Sequence, residues 1–104
     1  MKLNHDCVRS IMLLTEEHLS YGQSIPFNKV EISGYSHEEI LYAADKLLEA
    51  GYLQGEKLGF AGLGEPSIQI TSISWDGHRF LDNIRGEGIW KDTKKFFPNF
   101  PLYL

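Results

Sequence analysis

His78 and Asp82 stand one helical turn apart in the stretch Ser74-Trp75-Asp76-Gly77-His78-Arg79-Phe80-Leu81-Asp82, the arrangement in this sequence that comes nearest to a catalytic pair. Residues four apart share a helix face, and an imidazole steadied by a carboxylate is the base half of many nucleophilic sites. No nucleophile is placed beside them, so the pair reads as surface trimming. Metal chemistry has no better footing. His5, Cys7, His18, His37 and His78 are scattered, and only His5-x-Cys7 is close, without the paired spacing that zinc ligands take. Gly59-x-x-Gly62-x-Gly64 has the glycine density of a phosphate loop, but such loops run directly into a helix. Here Pro66 and the strand-like Ser67-Ile68-Gln69-Ile70-Thr71 follow, which predicts a hairpin turn. The sequence therefore predicts no catalytic residue, no cofactor, no metal and no small-molecule substrate.

Charge is more informative. The formal net charge is -4, and the acidic excess lies in the middle of the chain. Residues 36–66 carry two basic and six acidic side chains, whereas residues 67–104 carry five basic and four acidic ones. A protein that grips nucleic acid through phosphates needs a surplus of Lys and Arg on one surface. The candidates for such a surface are Lys57, Arg79, Arg85, Lys91, Lys94 and Lys95, interrupted by Asp76, Asp82, Glu87 and Asp92. The single cysteine, Cys7, excludes an internal disulfide and suits a reducing compartment. The polar start at Met1-Lys2-Leu3-Asn4-His5-Asp6 has no apolar signal core, and the apolar run Ile11-Met12-Leu13-Leu14 is far short of the roughly 20 residues that span a bilayer. A cytoplasmic protein is expected.

The elements that must position these residues follow from periodicity and caps. Asn4 caps a predicted helix to about Leu19, with Val8, Ile11, Met12, Thr15 and Leu19 on one face and Leu13 and Leu14 widening it. Ile25 to Ile32 reads as short extended structure, since Pro26 disfavours helix at the residue before it. Ser36 with Glu39 is a capping box for a second helix, whose buried stripe is Ile40, Leu41, Ala44, Leu47 and Leu48 and which stops at Gly51. Strands are predicted from Tyr52 to Leu58 and from Ser67 to Ser74. Ser74 then caps a third helix that turns Phe80, Leu81 and Ile84 inward, with Trp75 as an anchor holding the hairpin to the last helices. A final short helix is predicted over Ile89 to Phe96.

Helix, extended segment, helix, hairpin, helix is the order of a winged helix, an α+β fold related to the helix-turn-helix, with a β-hairpin wing and C-terminal helices. Three stretches stand together: Met1-Lys2 with Asp6, Val8-Arg9 and Ile11 to Leu14; Glu38 to Tyr42 through Leu47 to Leu53; and Ile73 to Arg85 with Ile89-Trp90-Lys91 and Thr93-Lys94. In them the sequence resembles domain-of-unknown-function family 2513. The resemblance implies a winged-helix fold related to the YjcQ-like proteins and a bacterial or prophage origin. It carries no established activity.

Two partner classes remain. The predicted solvent face of the second helix is His37, Glu38, Glu39, Tyr42, Asp45, Lys46 and Glu49, with four acids against one base, which phosphates would repel. The segment after residue 95 is too apolar to stand in water, so Phe96, Phe97, Phe100, Leu102, Tyr103 and Leu104 are expected either to pack back on their own domain or, as partner-binding candidates, to dock on a second copy or another protein. The expectation is a domain over residues 1–95 with an aromatic, proline-containing tail over 96–104, acting through protein contacts, including self-association as a homodimer. The alternative is a DNA-binding regulator that uses the wing and the late basic residues.

Overall fold

A computed structural model describes residues 1–59 and 64–84. Three helices pack against a three-stranded antiparallel sheet, so the fold is α+β. The order is α1 (His5–His18), β1 (Ile25–Pro26), a single 3-10 turn (Phe27–Lys29), α2 (His37–Glu49), β2 (Leu53–Leu58), β3 (Ser67–Ile73) and α3 (Trp75–Ile84).

The two long helices start where their caps say they should. Asn4 Oδ1 accepts from the backbone N–H groups of Asp6 and Cys7, at 3.0 and 3.1 Å. Ser36 Oγ accepts from Glu39 N at 3.1 Å while Glu39 Oε1 accepts from Ser36 N at 3.0 Å, a complete capping box. α2 ends at Ala50 because Gly51 takes a φ of 82°, left-handed backbone that a side chain would strain.

The sheet runs in the order β1, β3, β2. β2 pairs with β3 from Leu53 opposite Ile73 to Leu58 opposite Ser67, with an irregularity between Gln54 and Gly55. A Cβ on Gly55 would lie on the Gln69 carbonyl, so the pairing needs glycine there. β1 contributes only two residues, Ile25 opposite Ile70 and Pro26 opposite Gln69. Here the extended reading of Ile25 to Ile32 is corrected. Proline cannot donate to a ladder, and the chain turns at once into the 3-10 helix, which sinks Phe27 completely into the core.

That core is one layer between helices and sheet. Ile11, Met12, Leu13 and Leu14 of α1, Ile40, Ala43, Ala44 and Leu47 of α2, and Ile68 and Ile70 of β3 are all buried, as are Phe27, Leu53, Leu81 and Ile84. Thr15 and Ser10 are the buried hydroxyls among the described residues, and Thr15 is satisfied by donating to the Ile11 carbonyl at 2.7 Å. Ser74 ties three elements together. Its hydroxyl accepts from Gly77 N at 3.0 Å at the start of α3 and donates to the Gly51 carbonyl beyond α2, while its N–H donates to Tyr52 O at 3.1 Å.

Trp75 is not the expected anchor. It is 82% exposed. The buried side of α3 is set by Gly77, Leu81 and Ile84, and at about 100° per residue Trp75 falls roughly 200° from Gly77, on the far side of the helix. The anchoring role belongs to Phe80, whose ring stacks on Tyr52 with centroids 4.9 Å apart and planes 12° apart.

Candidate interaction surface

The outer side of α2 and the adjoining face of β2 form the surface on which the acidic expectation can be inspected. Of the four carboxylates, three are engaged. Glu39 is spent on the capping box and also accepts from Asn4 Nδ2 at 3.3 Å; the Ser36 backbone bond, more than any other partner, holds its carboxyl below the usual range. Asp45 receives Lys57 Nζ from β2 at 3.0 Å. Glu49 pairs with Lys46 at 2.8 Å, and that bond raises the lysine's pKa. The Lys46 ammonium also lies 5.3 Å from the centre of the Tyr42 ring. Glu38 and His37 are exposed. The face is therefore mostly paired charge, with acid still in slight excess.

Of the basic candidates, Lys57 and Arg79 are described, and each faces a carboxylate: Lys57 that of Asp45, Arg79 that of Asp76 at 3.8 Å. They sit on different elements, β2 and α3. Arg85, Lys91, Lys94 and Lys95 lie outside the described residues, as do the tail candidates Phe96, Phe97, Phe100, Leu102, Tyr103 and Leu104 and the final helix expected over Ile89 to Phe96.

His78 and Asp82 are both exposed, and no hydrogen bond or ion pair joins them. Among the described residues no group of histidine, cysteine and carboxylate side chains is arranged to hold a metal. Gly59 and Gly64, with φ of 75° and 144°, flank the connection between β2 and β3; the segment joins two strands, as the hairpin reading requires.

Sequence reasoning missed the aromatic surface. Tyr21 is fully exposed in the loop after α1, and Trp75 stands out at the start of α3. Tyr21 borders a groove of about 320 Å³, whose walls also include Leu19 just after α1, Thr71 and Ile73 from β3 and His78 from α3. The one signal in the sequence was Tyr21 itself, a large aromatic set among Ser20, Gly22, Gln23 and Ser24 with no apolar neighbour to bury it. No helix among the described residues is long and apolar enough to cross a membrane.

The comparisons with known proteins give a family without a described activity. The family model described as "Hypothetical protein (DUF2513)" matches residues 2–99. A curated relative from Haemophilus influenzae, described as "Uncharacterized protein", is 32% identical over 95 residues, which cover 90% of this chain and 76% of that protein. No solved structure matches the chain significantly.

Proposed function

Because the chain belongs to the DUF2513 family, whose description carries no activity, we propose from its own geometry that it is a winged-helix accessory domain that works through protein–protein contacts. The winged-helix reading is supported by the order of elements and by a sheet in which β1 lies beside β3 and β2 and β3 form an antiparallel hairpin. The 3-10 turn at Phe27–Lys29 stands where the first helix of a helix-turn-helix would be. In this reading α2 is the recognition helix and β2–β3 the wing, in a cytoplasmic protein of bacterial or prophage origin.

One observation carries the preference for protein over DNA. The basic side chain on the wing strand, Lys57, is turned back onto Asp45 of α2, so the wing and helix face each other with matched charge and offer phosphates no cationic ridge among the described residues. Protein contact fits the remaining surface better, since Tyr21 and Trp75 expose aromatic rings, the residue types enriched in protein interfaces. Residues 96–104, with six large apolar side chains, add to it. Static light scattering of the full chain and of Trp75→Ser and Phe100→Ser variants tests this. Self-association that weakens in the variants is the expected result; a monomer at high concentration removes the homodimer and leaves a different protein as partner.

The DNA-binding alternative has an observation of its own: three of the four carboxylates on α2 are already neutralised or capped, which softens the repulsion a bare acidic helix would exert. It predicts duplex binding that falls steeply with salt and is weakened by Arg79→Glu or Lys94→Glu. The absence of a mobility shift at low salt and micromolar protein ends it.

A further inference from the structure

We propose that the pocket between α3 and the corner after α2 binds the guanine base of a free nucleotide. The pocket holds about 400 Å³ and is lined by Ala50, Tyr52, Asp76, Arg79, Phe80 and Asn83. Sites for small molecules run from roughly 300 to 1,000 Å³, so a single nucleotide suits it better than anything larger.

α3 places its share of the lining on one flank. At about 100° per residue, Phe80, Asp76, Asn83 and Arg79 fall within roughly 100° of helix surface. Tyr52 supplies the second ring, stacked on Phe80 with centroids 4.9 Å apart and planes 12° apart. Such a pair is a platform for a further flat ring, and a purine is one. The two sides of the pocket are also held in place before any ligand arrives. The Ser74 hydroxyl donates to the Gly51 carbonyl and accepts from Gly77 N at 3.0 Å, while Ser74 N donates to the Tyr52 carbonyl at 3.1 Å. A corner fixed in this way loses little freedom on binding.

The choice of base comes from the charged pair. Arg79 Nη1 and Asp76 Oδ1 lie 3.8 Å apart, and both side chains are largely exposed. That separation exceeds the ~2.7–3.2 Å of a hydrogen bond, so the guanidinium keeps its donors and the carboxylate its acceptors. Guanine carries the matching pattern. Its N1–H and N2–H groups suit a carboxylate, and the adjoining O6 and N7 suit an arginine. Adenine has an acceptor at N1, which a carboxylate repels. Asn83, joined to no described residue by a side-chain hydrogen bond or ion pair, adds an amide that can donate and accept.

A free nucleotide, rather than a base within a strand, follows from the net charge of -4, which disfavours a ligand with many phosphates. The inference is independent of the partner reading, because Tyr21 and Trp75 do not line this pocket.

Amide-resolved NMR titration of the full chain with GMP, IMP and AMP tests it, since the three share sugar and phosphate and differ in the base. GMP at millimolar concentration is expected to shift Tyr52, Arg79, Phe80 and Asn83, IMP to bind more weakly for want of the N2 amine, and AMP to bind about tenfold more weakly than GMP. Asp76→Ala, a change at an exposed position, is expected to leave the spectrum elsewhere intact and to bring GMP down to the level of AMP. Absence of shifts at Tyr52 and Phe80, equal binding of GMP and AMP, or a preference that survives Asp76→Ala would each overturn the proposal. The single-stranded pentanucleotide TTGTT serves as the strand arm. Affinity no greater than that of GMP is expected, and affinity more than about tenfold greater would overturn the assignment to a free nucleotide.

Discussion

Lys57 Nζ of β2 lies 3.0 Å from Asp45 Oδ1 of α2, so a strand whose residues from Gln54 to Leu58 are exposed is fastened to the neighbouring helix by charge. The carboxylate is the less exposed partner, at 18% against 46% for the lysine. Partly exposed pairs are typically worth about 0.2–1 kcal/mol. A double-mutant cycle with Asp45→Asn and Lys57→Gln, followed by urea unfolding, is expected to give a coupling in that range. The coupling shrinks between about 0.1 M and 1 M salt, where the screening length falls from ~10 to ~3 Å. A coupling of zero at low salt would mean that the wing strand is not held by this contact.

The junction of α1 and α2 responds to pH through Glu39. Its carboxylate accepts from Ser36 N and from Asn4 Nδ2, and those bonds lower its pKa from the ordinary 4.5. A carboxyl that ionises more readily in the folded state adds stability that is complete above the unfolded value and is lost as pH falls through the folded one. Stability is thus expected to be flat in this respect near neutrality and to decline below about pH 4.5. Glu39→Gln keeps the side chain's shape but removes the charge, so its stability–pH curve, measured by urea denaturation, is shallower over that acid window. Parallel curves for the two proteins would show that the group does not contribute.

Local chemistry made part of this legible in advance. Asn4, the Ser36–Glu39 box and Gly51 each act within a few residues, so their types and spacing suffice to mark helix ends. The inward stripe of α3 was legible for Leu81 and Ile84 by the same periodicity. Trp75 was misplaced because its size argued for burial, whereas its angular position on a helix whose phase is fixed by Gly77 and Leu81 put it outside. The 3-10 turn after Pro26 was read as extended because a three-residue turn leaves no period to detect. The pairing of Lys57 with Asp45 depends on how the hairpin lies across α2, a tertiary relationship that no spacing encodes. The groove was invisible for the same reason, since its walls come from residues as far apart as Thr15 and His78.

Cys7 sits fully buried against α2, with its Sγ 3.8 Å from the Glu39 carbonyl. Burial, reinforced by the Glu39 charge, pushes the thiol up to about 12 from an ordinary 9.0. Thiolate is the reactive form, so three pKa units correspond to about a thousandfold less of it at a given pH below both values. Alkylation by iodoacetamide at pH 8 is expected to be at least that much slower in the folded protein than in urea. Rapid labelling under native conditions would mean that the α1–α2 contact opens easily.

Gly77 offers a test of how tightly α3 is pressed to the sheet. Alanine is the better helix former by up to about 1 kcal/mol, so in an isolated helix Gly77→Ala would stabilise. In this fold a Cβ at Gly77 would lie on the Tyr52 carbonyl and against the Ile73 side chain. That carbonyl also accepts from Ser74 N at 3.1 Å, so it cannot withdraw without loosening the strand-to-helix corner. Overpacking of this kind costs about 1–3 kcal/mol, more than the propensity gain. Gly77→Ala is therefore expected to lower stability in urea denaturation, while Asn83→Ala, on the exposed side of the same helix, stays close to neutral. If the glycine variant proved the more stable of the two, α3 would have to stand farther from Tyr52, and the stacked Phe80 ring could not hold it in place.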